Sequence, residues 1–318
     1  MTLLPNFKGF DFFPHDLRLP FMRYRDLAVG MSIVAMIVSL GLFFVRGLNY
    51  GVDFKGGSMI EVQSTLGPAD LSGIREKLGG LGLGGVQIQQ FGAPTDILIR
   101  IEEQPGGDGA QQVALKKVID ALGTGYQQRR VEVVGPAVSS ELRTTGLIAV
   151  IAGLFAIVAY VWFRFEWQFA AGAIVALVHD VLLTIGIFSL FQFEFDLSIV
   201  AALLTILGYS VNDTVVVSDR IRENLRKYKR MDLNELLNLS INETLSRTIL
   251  TGCTAITVLL ALYIFGGAVI RNFNFAMLFG VLIGTYSSIF IAAPLLGYLG
   301  IQREGIVGPE ERAAGKSA

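Results

Sequence analysis

The chain has 318 residues, of which 52% are hydrophobic and only 17% are charged, and its mean hydropathy is +0.56. A composition this apolar excludes an ordinary soluble domain and indicates a protein with several membrane-spanning helices. The formal net charge of -1 at pH 7 gives no reason to expect a nucleic-acid ligand.

Six segments have the roughly 20 predominantly apolar residues that a helix needs to cross a bilayer. They are approximately Leu27–Val45, Thr144–Phe163, Trp167–Leu190, Leu197–Ser218, Thr248–Phe265 and Phe275–Leu299. No small-residue cleavage site follows the first span, so we expect it to remain as an uncleaved anchor. Cys253, the only cysteine, excludes an intrachain disulfide, and its apolar surroundings predict a buried, unreactive thiol.

Lysine and arginine residues are concentrated before the first span and between the fourth and the fifth. They are Lys8, Arg18, Arg23 and Arg25 in the first group and Arg220, Arg222, Arg226, Lys227, Lys229, Arg230 and Arg247 in the second. Because cytoplasmic loops carry an excess of these residues, both termini and the loop 219–247 are expected to be cytoplasmic. We interpret the loop as a topology signal that also contacts anionic lipids, in preference to a nucleic-acid patch.

The predicted fold is a polytopic α-helical membrane protein with six transmembrane helices and one α+β periplasmic domain. The parts are an N-terminal cytoplasmic segment (1–26), the first span (27–45), the periplasmic domain (46–143), a five-helix bundle that includes the cytoplasmic loop (144–299) and a cytoplasmic tail (300–318). The topology therefore places one small soluble domain outside the membrane.

The periplasmic domain has alternating and helical patterns in the order β-α-β-β-α-β. The predicted strands are Ser58–Ser64, Val86–Phe91, Ile97–Ile101 and Gln128–Val134, and the helices are Pro68–Leu78 and Gln111–Leu122. This order is ferredoxin-like. The sequence has no metal cluster or phosphate-binding loop here, because the glycine-rich stretch 79–85 follows a helix and precedes a strand. We expect this domain to bind a chain or a partner.

Asp213 lies within an apolar segment that is long enough to span a bilayer. An ionised carboxylate at that depth costs roughly 2.5–3.5 kcal/mol even on a lenient scale, so such residues usually carry a proton or an ion. Asp213 is about 9 Å inside the cytoplasmic boundary at 1.5 Å per residue. Arg247, at the predicted start of the fifth span, can reach inward along its apolar stem and is the expected counter-charge. The alternatives are a static buried pair, or Asn212 and Asp213 as interhelical hydrogen-bonding groups.

His179 and Asp180 form a second polar pair, about halfway along the third span. Adjacent helical residues point about 100° apart, so Asp180 either belongs to a proton relay with Asp213 or satisfies a neighbouring helix. The candidate relay residues are therefore Asp213, Arg247, Asn212, Asp180 and His179, and no organic cofactor or metal is expected. Gly280 and Gly284 form a G-x-x-x-G motif, which we interpret as close helix packing.

The segment Gly51–Gly57 contains Asp53 and Lys55, two residue types that also occur in catalytic pairs. The flanking glycines favour a different interpretation, a turn that joins the first span to the periplasmic domain.

Several short motifs together resemble the SecF family, the SecF subunits of bacterial SecDF complexes in the resistance-nodulation-division superfamily. The motifs are Gly51–Gly57, Val134–Pro136, Ser139–Leu142, His179-Asp180, Gly208–Asp213, Ser218–Asn224, Arg247-Thr248 and Phe265–Gly267. No single motif is decisive, but the ordered set runs through nearly the whole length.

The resemblance implies a SecD partner with a second six-span half, work beside the SecYEG channel in the bacterial inner membrane, and YajC as a further partner. It also implies that the proton gradient helps to pull or release an exported, unfolded polypeptide on the outer side. In that family the aspartate matching Asp213 and the arginine matching Arg247 are linked to proton passage.

Two other function classes fit parts of the pattern. A free-standing proton-coupled small-molecule exporter of the same superfamily is one, although such exporters are typically twice this length. An intramembrane aspartyl protease that uses Asp180 and Asp213 is the other. The residues before Asp213 are Ser-Val-Asn, which lack the Gly-x-Gly-Asp context of those proteases.

Overall fold

The computed structural model describes residues 18–267 and 269–301. The predicted segments 1–26 and 300–318 lie mostly outside this part of the chain, as does Lys8. In chain order the elements are α1 (Arg25–Arg46), β1 (Asn49–Tyr50), α2 (Val52–Lys55), β2 (Gly57–Ser64), α3 (Leu71–Gly79), β3 (Val86–Gln90), β4 (Asp96–Ile101), α4 (Gly107–Leu122), β5 (Tyr126–Val134), α5 (Pro136–Arg164), α6 (Trp167–Phe191), β6 (Glu194–Phe195), α7 (Leu197–Lys227), α8 (Leu233–Phe265), α9 (Arg271–Ser287) and α10 (Ala293–Tyr298).

The six predicted spans are confirmed, because six helices of the described residues are long and apolar enough to cross a membrane. They are α1, α5, α6, α7, α8 and the continuous α9–α10 segment. Pro294 does not interrupt the last span, since a π-helical stretch, Ser288–Ala292, leads into α10 and the proline occupies the first turn of that helix.

The segment 219–247, which we expected to be a cytoplasmic loop, is mostly helical. Helix α7 continues to Lys227 and α8 begins at Leu233, so only residues 228–232 connect them. The extensions form because Ile221 and Leu225, four residues apart on α7, are buried in one apolar cluster with the first turns of α8. The many charges on the opposite face lower the mean hydropathy of this segment, so the hydropathy profile does not show the helical pattern.

The domain at residues 46–143, which we expect to be periplasmic, has the predicted order of strands and helices. Its four-stranded sheet has the strand order β3-β4-β2-β5, and every neighbouring pair is antiparallel. Alternate residues of β2 and β4 face α3 and α4 and form a closed apolar core. Its buried members include Ile60, Val62, Ile74, Leu78, Ile97, Ile99 and Val118. The opposite face of the sheet is directed towards the membrane bundle.

The segment Gly51–Gly57 does more than make the turn that we predicted. It contains the single-turn helix α2, and β1 just before it pairs in parallel with β6 between the third and fourth spans. The Asp53 carboxylate accepts a hydrogen bond of 2.9 Å from the backbone N–H of Leu197, the first residue of α7. An acidic group there suits the positive end of the helix dipole. The segment therefore joins the domain to the N-terminal end of the fourth span.

Gly57 occupies a position that only glycine fits. Its φ is +112°, and a Cβ on it would lie 2.3 Å from the backbone oxygen of Ile101. That oxygen belongs to β4, which pairs with β2 from Ser58 onward. The close approach of the two strands therefore depends on the absence of a side chain at residue 57.

One buried ion pair links the sheet to the bundle. Arg100 of β4 pairs with Glu194 of β6, and the two side chains are 10% and 17% exposed. A cavity of about 910 Å³ lies next to this contact, between the outer face of the sheet and the loops at the ends of the spans. Burial raises the pKa of the Glu194 carboxyl above its ordinary value of 4.5, Arg100 opposes this, and Asp196, Asp53 and Glu132 add to the rise.

Replacing Gly57 with alanine is expected to destabilise the periplasmic domain more than replacing Gly67. Both residues have nearly the same φ, +112° and +113°, but a Cβ at Gly67 meets nothing within 4 Å. Backbone strain alone costs about 1–3 kcal/mol, so Gly67→Ala measures that part, and Gly57→Ala adds the clash with Ile101. The check is the thermal unfolding midpoint of each purified variant in detergent. Equal midpoints would show that the strands can move apart without cost.

Glu194→Gln is expected to change the pH dependence of stability. Because burial raises the folded-state pKa of Glu194, the folded chain holds this proton more tightly than the unfolded chain does. Wild-type stability is therefore lost as the pH rises from the ordinary value through the raised pKa. The neutral glutamine lacks that loss, so the unfolding midpoint of the variant should rise relative to wild type as the pH increases above the ordinary value of 4.5.

Glu76→Gln, on the exposed face of α3, is the matched control for the change at Glu194. The opposite trend, with the Glu194 variant losing stability relative to wild type as the pH rises, would mean that the attraction of Arg100 outweighs the cost of burial.

Candidate functional site

Asp180 is fully buried on α6 and is bound by donors from other helices. The hydroxyls of Ser210 on α7 and Ser287 on α9 donate to its Oδ2, at 2.5 Å and 2.9 Å. The Nδ1 atom of His179 lies 2.9 Å from its Oδ1. The two side chains predicted as a pair do meet, and both oxygens of the Asp180 carboxyl are occupied.

His179 extends the Asp180 network to the first span. Its ring stacks on Tyr286 with centroids 6.0 Å apart. The Tyr286 hydroxyl donates to the backbone oxygen of Ala28 at 3.0 Å and lies 2.9 Å from the Ser32 hydroxyl. The His179 Nε2 is buried without a hydrogen-bond partner among the described residues. A proton on Nδ1 therefore suits this ring, because a buried N–H without an acceptor is costly.

The G-x-x-x-G motif places the donors around Asp180. A Cβ on Gly280 would lie 2.3 Å from Ile206, and one on Gly284 would lie 3.1 Å from Ser210. Helix α9 therefore packs directly on α7 through these two glycines, as the motif predicted. This close packing brings Ser210 and Ser287 to the same oxygen of Asp180.

Asp213 has a different environment, at the contact between α7 and α8. It is 4% exposed, and its Oδ1 accepts a hydrogen bond of 3.2 Å from the Thr248 hydroxyl. Its Oδ2 is buried and has no hydrogen-bond partner among the described residues. This carboxyl therefore has one satisfied oxygen and one that remains able to take up a proton.

Arg247 is not in ion-pair contact with Asp213 in this structure. It is exposed on α8, and no ion pair within residues 18–267 and 269–301 joins the two side chains. The next residue, Thr248, makes the contact instead. Because α8 begins at Leu233, Arg247 lies well inside a helix and not at its start. Consecutive residues point about 100° apart, so Thr248 and Arg247 cannot both face Asp213, and the guanidinium acts on the carboxyl only at longer range.

Asn212 is exposed and is turned away from Asp213. The carboxyls of Asp180 and Asp213 share no hydrogen-bond partner among the described residues. Asp180 contacts two serines and a histidine, whereas Asp213 contacts a threonine. An aspartyl protease needs two carboxylates that share a proton. The hydrogen bonding around Asp180 and Asp213 does not provide such a dyad.

Neutral polar residues contribute to both sites and were not predicted from the sequence. They are Thr248 beside Asp213, Ser210 and Ser287 beside Asp180, and the buried hydroxyls of Tyr209 and Thr214, which make no hydrogen bond of good geometry among the described residues. Serine and threonine are frequent in membrane helices, so their presence alone does not indicate a functional site. Tyr209 could have been found from its spacing, because it lies four residues before Asp213 and hence on the same face of α7.

The outer surface of the bundle is strongly apolar. Exposed large side chains are frequent on α1, α5 and α8, among them Phe44, Phe155, Phe163, Val258 and Phe265. Cys253 on α8 is also exposed, so the prediction of a buried thiol was wrong. The reason is that α8 packs on α7 and α9 along one side only, and residue 253 lies at the exposed margin of that contact, still within electrostatic range of Tyr209. In a membrane-spanning chain these faces meet lipid or another protein.

Two family models match the chain. The model described as "Protein export membrane protein SecD/SecF, C-terminal" matches residues 114–302, and the "SecD/SecF GG Motif" model matches residues 41–65. The second match contains α2 and the glycine pair Gly56-Gly57 that closes on β4.

Characterised relatives resemble the chain over most of its length. Protein translocase subunit SecF of Cereibacter sphaeroides is 46% identical, over 92% of this chain and 93% of that protein. The SecF of Escherichia coli O157:H7 is 44% identical, over 89% of this chain and 88% of that protein. Protein translocase subunit SecDF of Brucella abortus is 44% identical over 95% of this chain, which spans only 39% of that longer protein.

The solved structures that resemble this chain are of SecDF. The crystal structure of SecDF from Thermus thermophilus, described as a translocon-associated membrane protein, superimposes with a TM-score of 0.81 at 34% identity. The match covers 91% of this chain and 39% of that one. With the matched family model, the relatives of similar length and the shared bundle architecture, the chain belongs to the SecD/SecF family of protein export membrane proteins.

Proposed function

We propose that the chain works with a SecD partner in the Sec export machinery, using the proton motive force to promote translocation and release of polypeptides through SecYEG. The observation that carries the proposal is the Asp213 carboxyl, buried in a membrane span with one oxygen bound and the other without a partner. Such a group can bind and release a proton without breaking its existing hydrogen bond. The names of the relatives support the export role.

In the proposed cycle a proton binds Oδ2 of Asp213 while Thr248 continues to hold Oδ1. Arg247 is the next residue on α8, so a rotation of that helix by about 100° exchanges the threonine for the guanidinium. The arginine then stabilises the ionised carboxylate after the proton has left. One charge that crosses 100 mV supplies about 2.3 kcal/mol, which is enough to bias a movement between two packed helices.

The other candidate residues have supporting roles in this proposal. Asp180 and His179 hold four spans in register through their network, and they add a second titratable pair to the relay. Asn212 is on the exposed face of α7, where SecD would cover it and the apolar faces of the bundle. Protons are the only cofactor that the proposal requires.

Further partners follow from the proposed export role. SecYEG and YajC would lie beside the bundle in the inner membrane, and an exported, unfolded polypeptide would meet the periplasmic domain while both termini stay cytoplasmic. The segment 219–247 would contact anionic lipids. Part of its positive charge is already neutralised, because Arg220 pairs with Glu223 and Glu243 and Arg222 pairs with Glu166. The small-molecule exporter considered from the sequence gains no support from the relatives.

Asp213→Asn is expected to fold and to bind SecD normally but to abolish the gradient-dependent stimulation of secretion. Asparagine keeps the shape of the side chain and can still accept from Thr248, but it cannot take up a proton. The measurement is secretion of a reporter in cells that depend on the variant chain. Asp219→Asn is the matched control, since Asp219 pairs with Arg164 at a half-exposed position on the same helix. Unchanged secretion with Asp213→Asn would remove Asp213 from the relay.

Purification of the tagged chain from native membranes in mild detergent is expected to recover SecD with it. The purified chain without SecD should not conduct protons in liposomes, because it holds only part of the proposed path. A stable homo-oligomer that is active alone would contradict the partner proposal and would favour a free-standing transporter.

A further inference from the structure

Helix α7 carries a second polar residue, Tyr209, one turn from Asp213 on the same face. Its hydroxyl is buried and makes no hydrogen bond of good geometry among the described residues, although the Thr285 hydroxyl on α9 is close enough to interact with it. A buried hydroxyl with a poorly formed hydrogen bond is unfavourable, so its presence needs an explanation. Asp213 and Cys253 are the titratable side chains that interact electrostatically with it.

Gly252 on α8 faces the Tyr209 hydroxyl. A Cβ on this glycine would lie 3.7 Å from the Tyr209 hydroxyl and 3.7 Å from the Thr285 hydroxyl on α9. The two hydroxyls, from different helices, therefore converge on the space that the glycine leaves open. We call this group of Tyr209, Gly252 and Thr285 the hydroxyl layer.

The hydroxyl layer lies directly next to the Asp213 contact. Tyr209 precedes Asp213 by one turn on α7, and Gly252 follows Thr248 by one turn on α8. The two helices are antiparallel, so both steps lead in the same direction. With the cytoplasmic ends of α7 and α8 at residues 219–247, that direction is towards the outer side of the membrane.

We propose that the hydroxyl layer is a proton-transfer group through which a proton reaches Asp213 from the outer side. The Tyr209 hydroxyl gives its proton to Oδ2 of Asp213 and receives another from the side of Thr285, so one O–H bond breaks as another forms and the tyrosine stays neutral. The absence of a side chain at Gly252 leaves space between the two hydroxyls. That space allows the hydroxyls, or a water molecule between them, to complete the transfer. The inference rests on the proposed proton-coupled function and adds residues on the outer side of Asp213.

The test uses the chain together with SecD, reconstituted in vesicles of phosphatidylethanolamine and phosphatidylglycerol with an imposed pH gradient. The measured quantity is the rate of pH change inside the vesicles. Tyr209→Phe keeps the ring and removes the hydroxyl, and it should lower the rate by roughly a hundredfold, the low end for a positioned proton-transfer group. Thr285→Val should lower the rate as well, whereas Thr285→Ser should preserve it because the hydroxyl remains.

Gly252→Ala tests the open space itself. The added methyl would make ordinary contacts at 3.7 Å, so the helices need not move, but the space between the two hydroxyls is filled. We expect normal assembly with SecD and a lower proton rate. Gly30→Ala is the matched control, because a Cβ at that position of α1 meets nothing within 4 Å and should leave the rate unchanged.

Three outcomes separate the possibilities. If Asp213→Asn leaves the proton rate unchanged, the proposed function fails and the inference fails with it. If Asp213→Asn stops conduction while Tyr209→Phe and Gly252→Ala conduct like wild type, only the hydroxyl layer is refuted. If Tyr209→Phe lowers the unfolding midpoint but not the rate, the hydroxyl is an interhelical contact and the inference is overturned.

Discussion

The buried carboxyl of Asp180 is the interaction on which the arrangement of the bundle depends. Ionised, it carries a desolvation cost of several kcal/mol, and hydrogen bonds to charged groups return about 1.5–3 kcal/mol each. Three donors from α6, α7 and α9 meet it, so the helices must hold one fixed register for the cost to be offset. The glycines of α9 make that register possible by letting two backbones approach. Electrostatics and close packing thus specify the same geometry.

The two carboxyls of the bundle are satisfied to different extents by hydrogen bonds. Asp180 has donors on both oxygens, whereas one oxygen of Asp213 has no partner among the described residues. A fully bound carboxyl holds its position, because any movement breaks hydrogen bonds. A half-bound carboxyl can change protonation without breaking its existing hydrogen bond, which suits the role proposed for Asp213.

Hydropathy and periodicity predicted the six spans and the order of elements in the periplasmic domain, because both patterns follow from local burial. They did not predict the helical extension of α7 and α8, where Ile221 and Leu225 are separated by charged residues. The contact of Asp213 with Thr248, in place of Arg247, was equally inaccessible, since it depends on the rotation of α8 about its axis. Packing along the whole helix determines such a rotation, so no single residue in the sequence indicates it.

Helix α7 connects the two ends of the molecule physically. Its first backbone N–H is held by Asp53 beside the periplasmic domain, and Asp213 lies sixteen residues further on, about 24 Å away at 1.5 Å per residue. A rigid rod of that length converts a tilt of about 5° at the carboxyl into a displacement of about 2 Å at its outer end. Through the hydrogen bond of Asp53 to this helix, a small angular change at Asp213 would become a translation at the end of the helix that contacts the sheet domain.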